Sequence, residues 1–276
     1  MNDSTLPYRQ PPMGRGARTV KASQNVDDDT LMAQLQLALD ESAALQSTRD
    51  TSGCCPHQIN GHWLLTDAEG IAFWEAADTL IVADLHLEKG SSFARRGQLI
   101  PPYDTKTTLR RFDKMIEKWN PKRVIALGDS FHDTDASARL SPANQATISG
   151  FMKGRDWLWI TGNHDPEPPV GLGGDVADEL REAGLIFRHE PQVEDALGEL
   201  AGHLHPKARL MRRGRNVRRS CFAASETRMI LPSFGAYTGG LDVRHEAYAG
   251  LFEGRNFHAL MRGNGQVYRI AGSELR

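Results

Sequence analysis

Three short apolar runs, each closed by a polar cluster, constrain this chain more than any other feature. Leu80-Ile81-Val82-Ala83 runs into Asp84-Leu85-His86, Val124-Ile125-Ala126-Leu127 into Gly128-Asp129, and Leu158-Trp159-Ile160-Thr161 into Gly162-Asn163-His164-Asp165. Unbroken apolar runs of that length read as strands buried on both faces, which is the pattern of a parallel sheet covered by helices. In such a sheet the polar clusters fall at the carboxyl ends of the strands, the edge where ligands bind. Two further clusters follow, His189 and Gly202-His203-Leu204-His205. The glycines before Asp129, Asn163 and His203 are expected to let the backbone turn sharply and present the next side chain inward.

The segments between the runs are expected to be helical. Asp104 is placed to cap a helix whose face carries Leu109, Phe112, Met115, Ile116 and Trp119 and which ends before Pro121; a second follows Ser141-Pro142 to about Lys153. After His203 the pattern changes to short β-type runs around 208–211, 220–223, 229–231 and 266–270, as in a second, more antiparallel sheet. The expected architecture is α/β, a two-sheet β-sandwich flanked by helices. Residues 1–54 read as an extension, disordered over 1–28, with a short helix after Asp27-Asp28-Asp29 carrying Leu31, Leu35, Ala38 and Leu45; 55–276 form the catalytic domain.

The clusters supply carboxylate, amide oxygen and imidazole without a thiolate, a donor set that suits manganese, iron, zinc or magnesium. Asp129 is the natural bridge between two ions. Such a pair acidifies a shared water and stabilises both the attacking and the leaving oxygens of an in-line displacement, so no nucleophilic Ser or Cys is required.

The order D-x-H, GD, GNHD, H, GH-x-H resembles the calcineurin-like metallophosphoesterase superfamily, whose four-layer fold agrees with the architecture above. The resemblance implies that Asp84, His86, Asp129 and His205 hold one metal, and Asp129, Asn163, His189 and His203 the other. It also makes His164 the unligated catalytic histidine near the leaving oxygen, oriented by Asp165. The words 84–97, Pro101-Pro-Tyr-Asp-Thr105, 128–133, His189-Glu-Pro191, 202–206 and 231–240 are further similar to the bacterial ligase-associated DNA-damage-response endonuclease (PdeM) group. That similarity, over about residues 55–270, implies a manganese-dependent DNA hydrolase with a DNA ligase as its operational partner. The alternatives are a phosphatase or small-nucleotide phosphodiesterase, since only the rim selects substrate, and a non-catalytic scaffold.

Substrate contacts are sought among basic residues. Lys207, Arg209, Arg212, Arg213, Arg215, Arg218 and Arg219 fall in one stretch without an acid, a hairpin expected to flank the site and hold a phosphate backbone; a solvated turn is the plain alternative. Arg95 and Arg96 are candidates to clamp a substrate phosphate, or else surface charge. His132 and Asp133 are read equally as supports of the metal site or as loop structure. His57, His62, His245 and His258 are assigned no functional role. The formal net charge of −2 argues against a uniformly basic nucleic-acid protein. Three cysteines make a poor disulfide framework, and no run approaches the ~18 apolar residues of a membrane span, so the expectation is a soluble, cytoplasmic protein without a membrane partner.

Overall fold

A computed structural model describes residues 49–276 apart from Pro168, Val170, Arg213 and the side chain of Arg212. The disorder expected over 1–28 and the helix expected after Asp27 lie outside the described residues. Arg49 already belongs to the compact unit that follows: its guanidinium bonds the Trp119 carbonyl at 2.9 Å and pairs with Asp78 at 2.6 Å.

The first sheet has seven strands in sequence order: β1 (Cys55–Ile59), β2 (His62–Thr66), β3 (Ala72–Trp74), β4 (Thr79–Val82), β5 (Arg123–Leu127), β6 (Asp156–Ile160) and β7 (Asp175–Ala177). Strands β4 to β7 are parallel, as the apolar runs require, and β1 to β3 extend the sheet antiparallel. Period-two geometry divides β4 between two cores. Leu80 and Val82 face the helices α1 (Lys89–Arg95), α2 (Asp104–Trp119), α3 (Ala136–Arg139) and α4 (Pro142–Met152), while Ile81 and Ala83 face the second sheet. Helix α2 buries Leu109, Phe112, Met115, Ile116 and Trp119, as its periodicity predicts. At about 1.5–3 kcal/mol for each large apolar side chain, that stripe outweighs any effect of the helix ends.

One end of α2 differs from expectation. Tyr103 occupies the cap position without a side-chain bond, and the buried Asp104 carboxylate instead accepts the Gly90 amide at 3.0 Å, tying α2 to the start of α1. Ser141 does cap α4, its hydroxyl accepting the Asn144 amide at 3.2 Å.

The second sheet begins earlier than the sequence pattern suggests. It runs β15 (Gln266–Ala271), β14 (His258–Gly263), β12 (Arg215–Ala224), β13 (Arg228–Ile230), β10 (Glu199–Ala201), β9 (Leu185–Arg188), β8 (Glu179–Glu182), with β11 (Lys207–Arg212) paired to β12. Most pairs are antiparallel, but β9, β10 and β13 run parallel, and this mixed region turns two carboxyl ends toward the same edge as β4, β5 and β6. Its outer face is covered by 3₁₀ turns and loops that bring Val243, Tyr248, Leu251 and Phe257 onto Cys221, Ala223, Ala259 and Met261. Helices therefore flank one sheet, and irregular chain flanks the other. No helix among the described residues is long and apolar enough to cross a membrane.

Candidate metal centre

Five strand ends deliver the seven residues expected to bind metal. Asp84 and His86 follow β4, Asp129 follows β5, Asn163 follows β6, His189 follows β9, and His203 and His205 follow β10. Five of these residues themselves adopt left-handed backbone: Asp84 (φ 54°), His86 (42°), Asp129 (48°), His203 (67°) and His205 (46°). For non-glycine residues that conformation is strained, and strain of this kind persists where surrounding bonds over-determine it. Here they do: the His86 amide bonds the Asp129 carbonyl at 2.9 Å, the Gly202 amide the His189 carbonyl at 2.9 Å, and the Ser233 hydroxyl the Asp84 carbonyl at 2.9 Å.

The glycines act differently from the expectation. Gly128 alone of the three has positive φ; Gly162 and Gly202 are required for space. A Cβ on Gly162 would stand 2.3 Å from the Asp129 Oδ1, and one on Gly202 2.6 Å from the Asp84 Oδ2.

The donor atoms form two adjoining groups. In one, the His205 Nε2 lies 3.1 Å from the Asp84 Oδ1 and 3.3 Å from the His86 Nε2, which in turn is 3.8 Å from the Asp129 Oδ2. In the other, the Asn163 Oδ1 lies 3.0 Å from both the His189 Nε2 and the His203 Nδ1, and the His189 Nε2 is 3.4 Å from the Asp129 Oδ1. Asp129 thus turns one oxygen to each group, the disposition of a bridging carboxylate. Potential ligand atoms of Asp84, His86 and His205, and of Asp84, Asp129 and His189, lie within 4.8 Å of one another. So many nitrogen and oxygen lone pairs meeting at about 3 Å, with imidazole nitrogens facing each other, fit a pair of divalent cations.

Electrostatics agree with that fit. Burial pushes His86 down to about 3 against the pull of Asp84 and Asp129, and burial likewise lowers His203, so both present neutral imidazole. Burial opposes ionisation of Asp129, yet the bond to and charge of His189, the His164 amide and His86 together outweigh it and hold the carboxyl at about 2. Burial also opposes charging of His189, but Asp129 and Asp84 overcome it and raise the ring to about 9. At neutral pH His189 therefore carries a proton that a cation would displace. Its other nitrogen bonds the Leu127 carbonyl at 2.9 Å, which fixes the ring.

His164 stands at the rim, its side chain 41% exposed, with Nε2 3.9 Å from the Asp129 Oδ2. Asp165 does not orient it. The buried Asp165 carboxylate accepts the Phe131 amide at 3.0 Å instead, and its other oxygen has no hydrogen-bond partner among the described residues; burial raises it to about 7. The His164 Nδ1 is held by the His132 carbonyl at 2.9 Å, and the two rings stack with centroids 5.1 Å apart. The His132 Nδ1 also lies 3.4 Å from the His86 Nδ1, so His132 supports both rings. Burial, then Lys89 and His164, hold His132 at about 4. Asp133 turns away, into a two-pronged pair with Arg139 at 2.7 and 2.8 Å.

The expected substrate contacts divide. Arg95 is exposed and paired with Asp135 at 3.0 Å, and Arg96 is exposed beside it, its charge felt at His132. At the hairpin tip Arg215 is exposed and opposite Arg212 in register; the Arg212 side chain and Arg213 lie outside the described residues. The root of the same hairpin is closer to the centre, since Lys207, Arg218 and Arg219 share a cavity with His205. Sequence reading also passed over Glu190, whose carboxylate is 4.0 Å from the His203 Nε2, the nitrogen opposite the cluster. Its only signal was adjacency to His189.

Residues 78–217 match the model of the calcineurin-like phosphoesterase family. The crystal structure of Pseudomonas putida nuclease MPE is similar, with 29% identity, a TM-score of 0.61, and coverage of 79% of this chain and 100% of that one. A conserved uncharacterised protein of Streptococcus pneumoniae TIGR4, a predicted phosphoesterase, is 16% identical over 70% of this chain and 96% of its own, with a TM-score of 0.30. No curated protein matches the chain significantly. With half its length matched, and with carboxylate and imidazole donors converging where two parallel strand sets end, the chain belongs to the calcineurin-like phosphoesterase family of metal-dependent phosphoester hydrolases.

Proposed function

We propose that this protein hydrolyses phosphodiester bonds of DNA with two divalent cations, manganese foremost, held by Asp84, His86, Asp129 and His205 on one side and by Asp129, Asn163, His189 and His203 on the other. The observation that carries the reading is Asp129, whose two oxygens face separate groups of imidazoles. DNA as substrate draws support from similarity to the Pseudomonas putida nuclease along that protein's whole length. Placement in repair beside a DNA ligase draws on the sequence words flanking the ligands.

When bound, the cations supply an acidified water and neutralise charge on the phosphate. The protein's own groups do the rest. Asp129, ionised well below neutral pH, holds its position through the His164 amide at 2.9 Å. The His132 carbonyl accepts a hydrogen bond from the His164 Nδ1–H, which leaves Nε2 at the exposed rim as the nitrogen that, in the imidazolium form, donates a proton to the departing oxygen. Assistance of that kind contributes about 10²–10⁴-fold. His164 in that position favours an enzyme over a scaffold, which needs no proton donor at the rim.

The test is a metal-by-substrate matrix on metal-stripped protein, with single-stranded, nicked and duplex DNA beside bis-p-nitrophenyl phosphate and cyclic and linear nucleotides. Manganese-restored cleavage of DNA is expected. Turnover confined to small nucleotides or monoesters would remove DNA from the reading, and stoichiometric cation binding without any turnover would return the scaffold.

A further inference from the structure

On the His205 side of the metal centre lies a cavity of about 400 Å³ whose wall carries five cations: Arg111, Lys207, Arg218, Arg219 and Arg262. Only Arg111 forms an ion pair with a carboxylate of the described residues, Glu69 at 3.0 Å. Arg262 is satisfied by neutral oxygens, the carbonyls of Ala68 and Glu69 and the Ser220 hydroxyl. Among the described residues, the Arg218 side chain makes one long bond, 3.3 Å to the Gly240 carbonyl. Lys207 has neither an ion pair nor a side-chain hydrogen bond with any described residue, although its side chain is half-buried. Antiparallel register places Lys207 across from Ser220 and Arg209 across from Arg218, so Lys207 and Arg218 leave the β11–β12 ribbon on the same face.

Like charges crowded this way repel, and folding gains nothing from leaving them uncompensated; an anion in the cavity relieves the repulsion. Guanidinium forks and an ammonium, with the Ser233 and Thr238 hydroxyls on the same wall, match the oxygens of a phosphate. The cavity shares His205 with the metal centre, so an anion there and a phosphate on the metals would be neighbours.

We infer that this cavity is a subsite for the phosphate adjacent to the scissile diester in a polynucleotide, with Lys207 and Arg218 as its principal charged contacts. It rests on the diesterase reading above and places the adjacent nucleotide at the hairpin's root instead of its tip. The probes are thymidine 3′,5′-bisphosphate and thymidine 5′-monophosphate, titrated by calorimetry into the manganese-loaded protein. The parent should bind the bisphosphate at least about tenfold more tightly, a Lys207→Gln/Arg218→Gln double variant should lose most of that advantage, and Lys207→Arg should keep it. Equal affinity of the parent for the two probes, or an undiminished advantage in a double variant with the parent's melting temperature, would overturn the subsite. If the double variant does not fold, Arg218→Gln alone decides by the same ratio. Failure of the diesterase reading shows separately, as absent turnover of p-nitrophenyl thymidine 5′-phosphate by the parent.

Discussion

Replacing Gly162 by alanine should disable the metal centre while leaving the fold intact. The added Cβ would lie 2.3 Å from both the Asp129 amide nitrogen and its Oδ1, and 2.6 Å from the Asp165 Oδ1. Ordinary contact begins near 3.5 Å, so something must yield by about 1 Å. The contact with the amide nitrogen is with main chain and no side-chain rotation relieves it, so the backbone at Gly162 or Asp129 must shift against the bond of the Asp129 carbonyl to the His86 amide at 2.9 Å, and the carboxylate is displaced with it. That carboxylate faces both donor groups, and metal–oxygen bonds tolerate only a few tenths of an ångström around ~2.1 Å. Loss of cation affinity by about 10–100-fold is expected, with turnover falling by about 10² from misplacement alone. Overpacking should cost about 1–3 kcal/mol, a drop of several degrees in Tm. Calorimetric titration of manganese into metal-stripped protein, run beside thermal melts, reads both quantities. Two cations bound at the parent affinity in Gly162→Ala would refute the argument that this glycine exists to make room for Asp129.

Gly150, inside α4, is the contrasting case: beyond its own helix backbone, no described residue lies within 4 Å of its added Cβ, so Gly150→Ala should raise stability by about 0.5–1 kcal/mol in a denaturant titration and leave metal binding alone. His164→Ala should retain both cations but lose about 10²–10⁴ in turnover of an alkyl phosphodiester, whereas Asp129→Asn should weaken both sites; parent-rate hydrolysis by His164→Ala would cancel its role. Asp165, raised to about 7 by burial, binds its proton more tightly folded than unfolded. Its contribution to stability is therefore full below about pH 4 and is lost as pH rises through about 7, while the buried neutral His86 and His132 contribute in the opposite direction, so the Asp165 part is read by difference: from pH 4 to 8, metal-stripped Asp165→Asn should gain up to a few kcal/mol relative to the parent, and an unchanged difference would refute it. Glu199 is fully buried against Arg228 at 3.3 Å and Arg188 at 3.7 Å; Arg188 keeps Glu179 at 2.8 Å, but Glu199→Gln leaves the buried Arg228 without a carboxylate among the described residues and should cost about 3–5 kcal/mol, seen as a Tm fall of roughly 6–20 °C. A melt unchanged within error would show the pair to be dispensable.

Much of the metal centre was legible because its chemistry is written locally. A ligand must be a particular residue type, and an apolar run before it says where in a sheet it emerges. So Asp84, Asp129 and Asn163 could be read at strand ends, and the α2 stripe from Leu109 to Trp119 could be read from its period. The Asp104 cap could not. Its carboxylate is drawn to the Gly90 amide of another helix, and tertiary partners outcompete a local preference worth about 1 kcal/mol. Asp165 was misassigned for the same reason: adjacency to His164 is no guide where the neighbouring loop offers the Phe131 amide to one side chain and the His132 carbonyl to the other.

By itself, then, the amino-acid order determined which side chains could ligate, that parallel strands would carry three of the clusters, and that two sheets would be needed. Only the tertiary structure decided that β9 and β10 run parallel and so bring His189, His203 and His205 to the first sheet's edge. It alone decided that His132 supports two other rings, and that the root of the basic hairpin shares a cavity with His205. Residue type and periodicity are properties of short segments, whereas convergence depends on strand direction and register between segments far apart in the chain, which packing of the shared core selects.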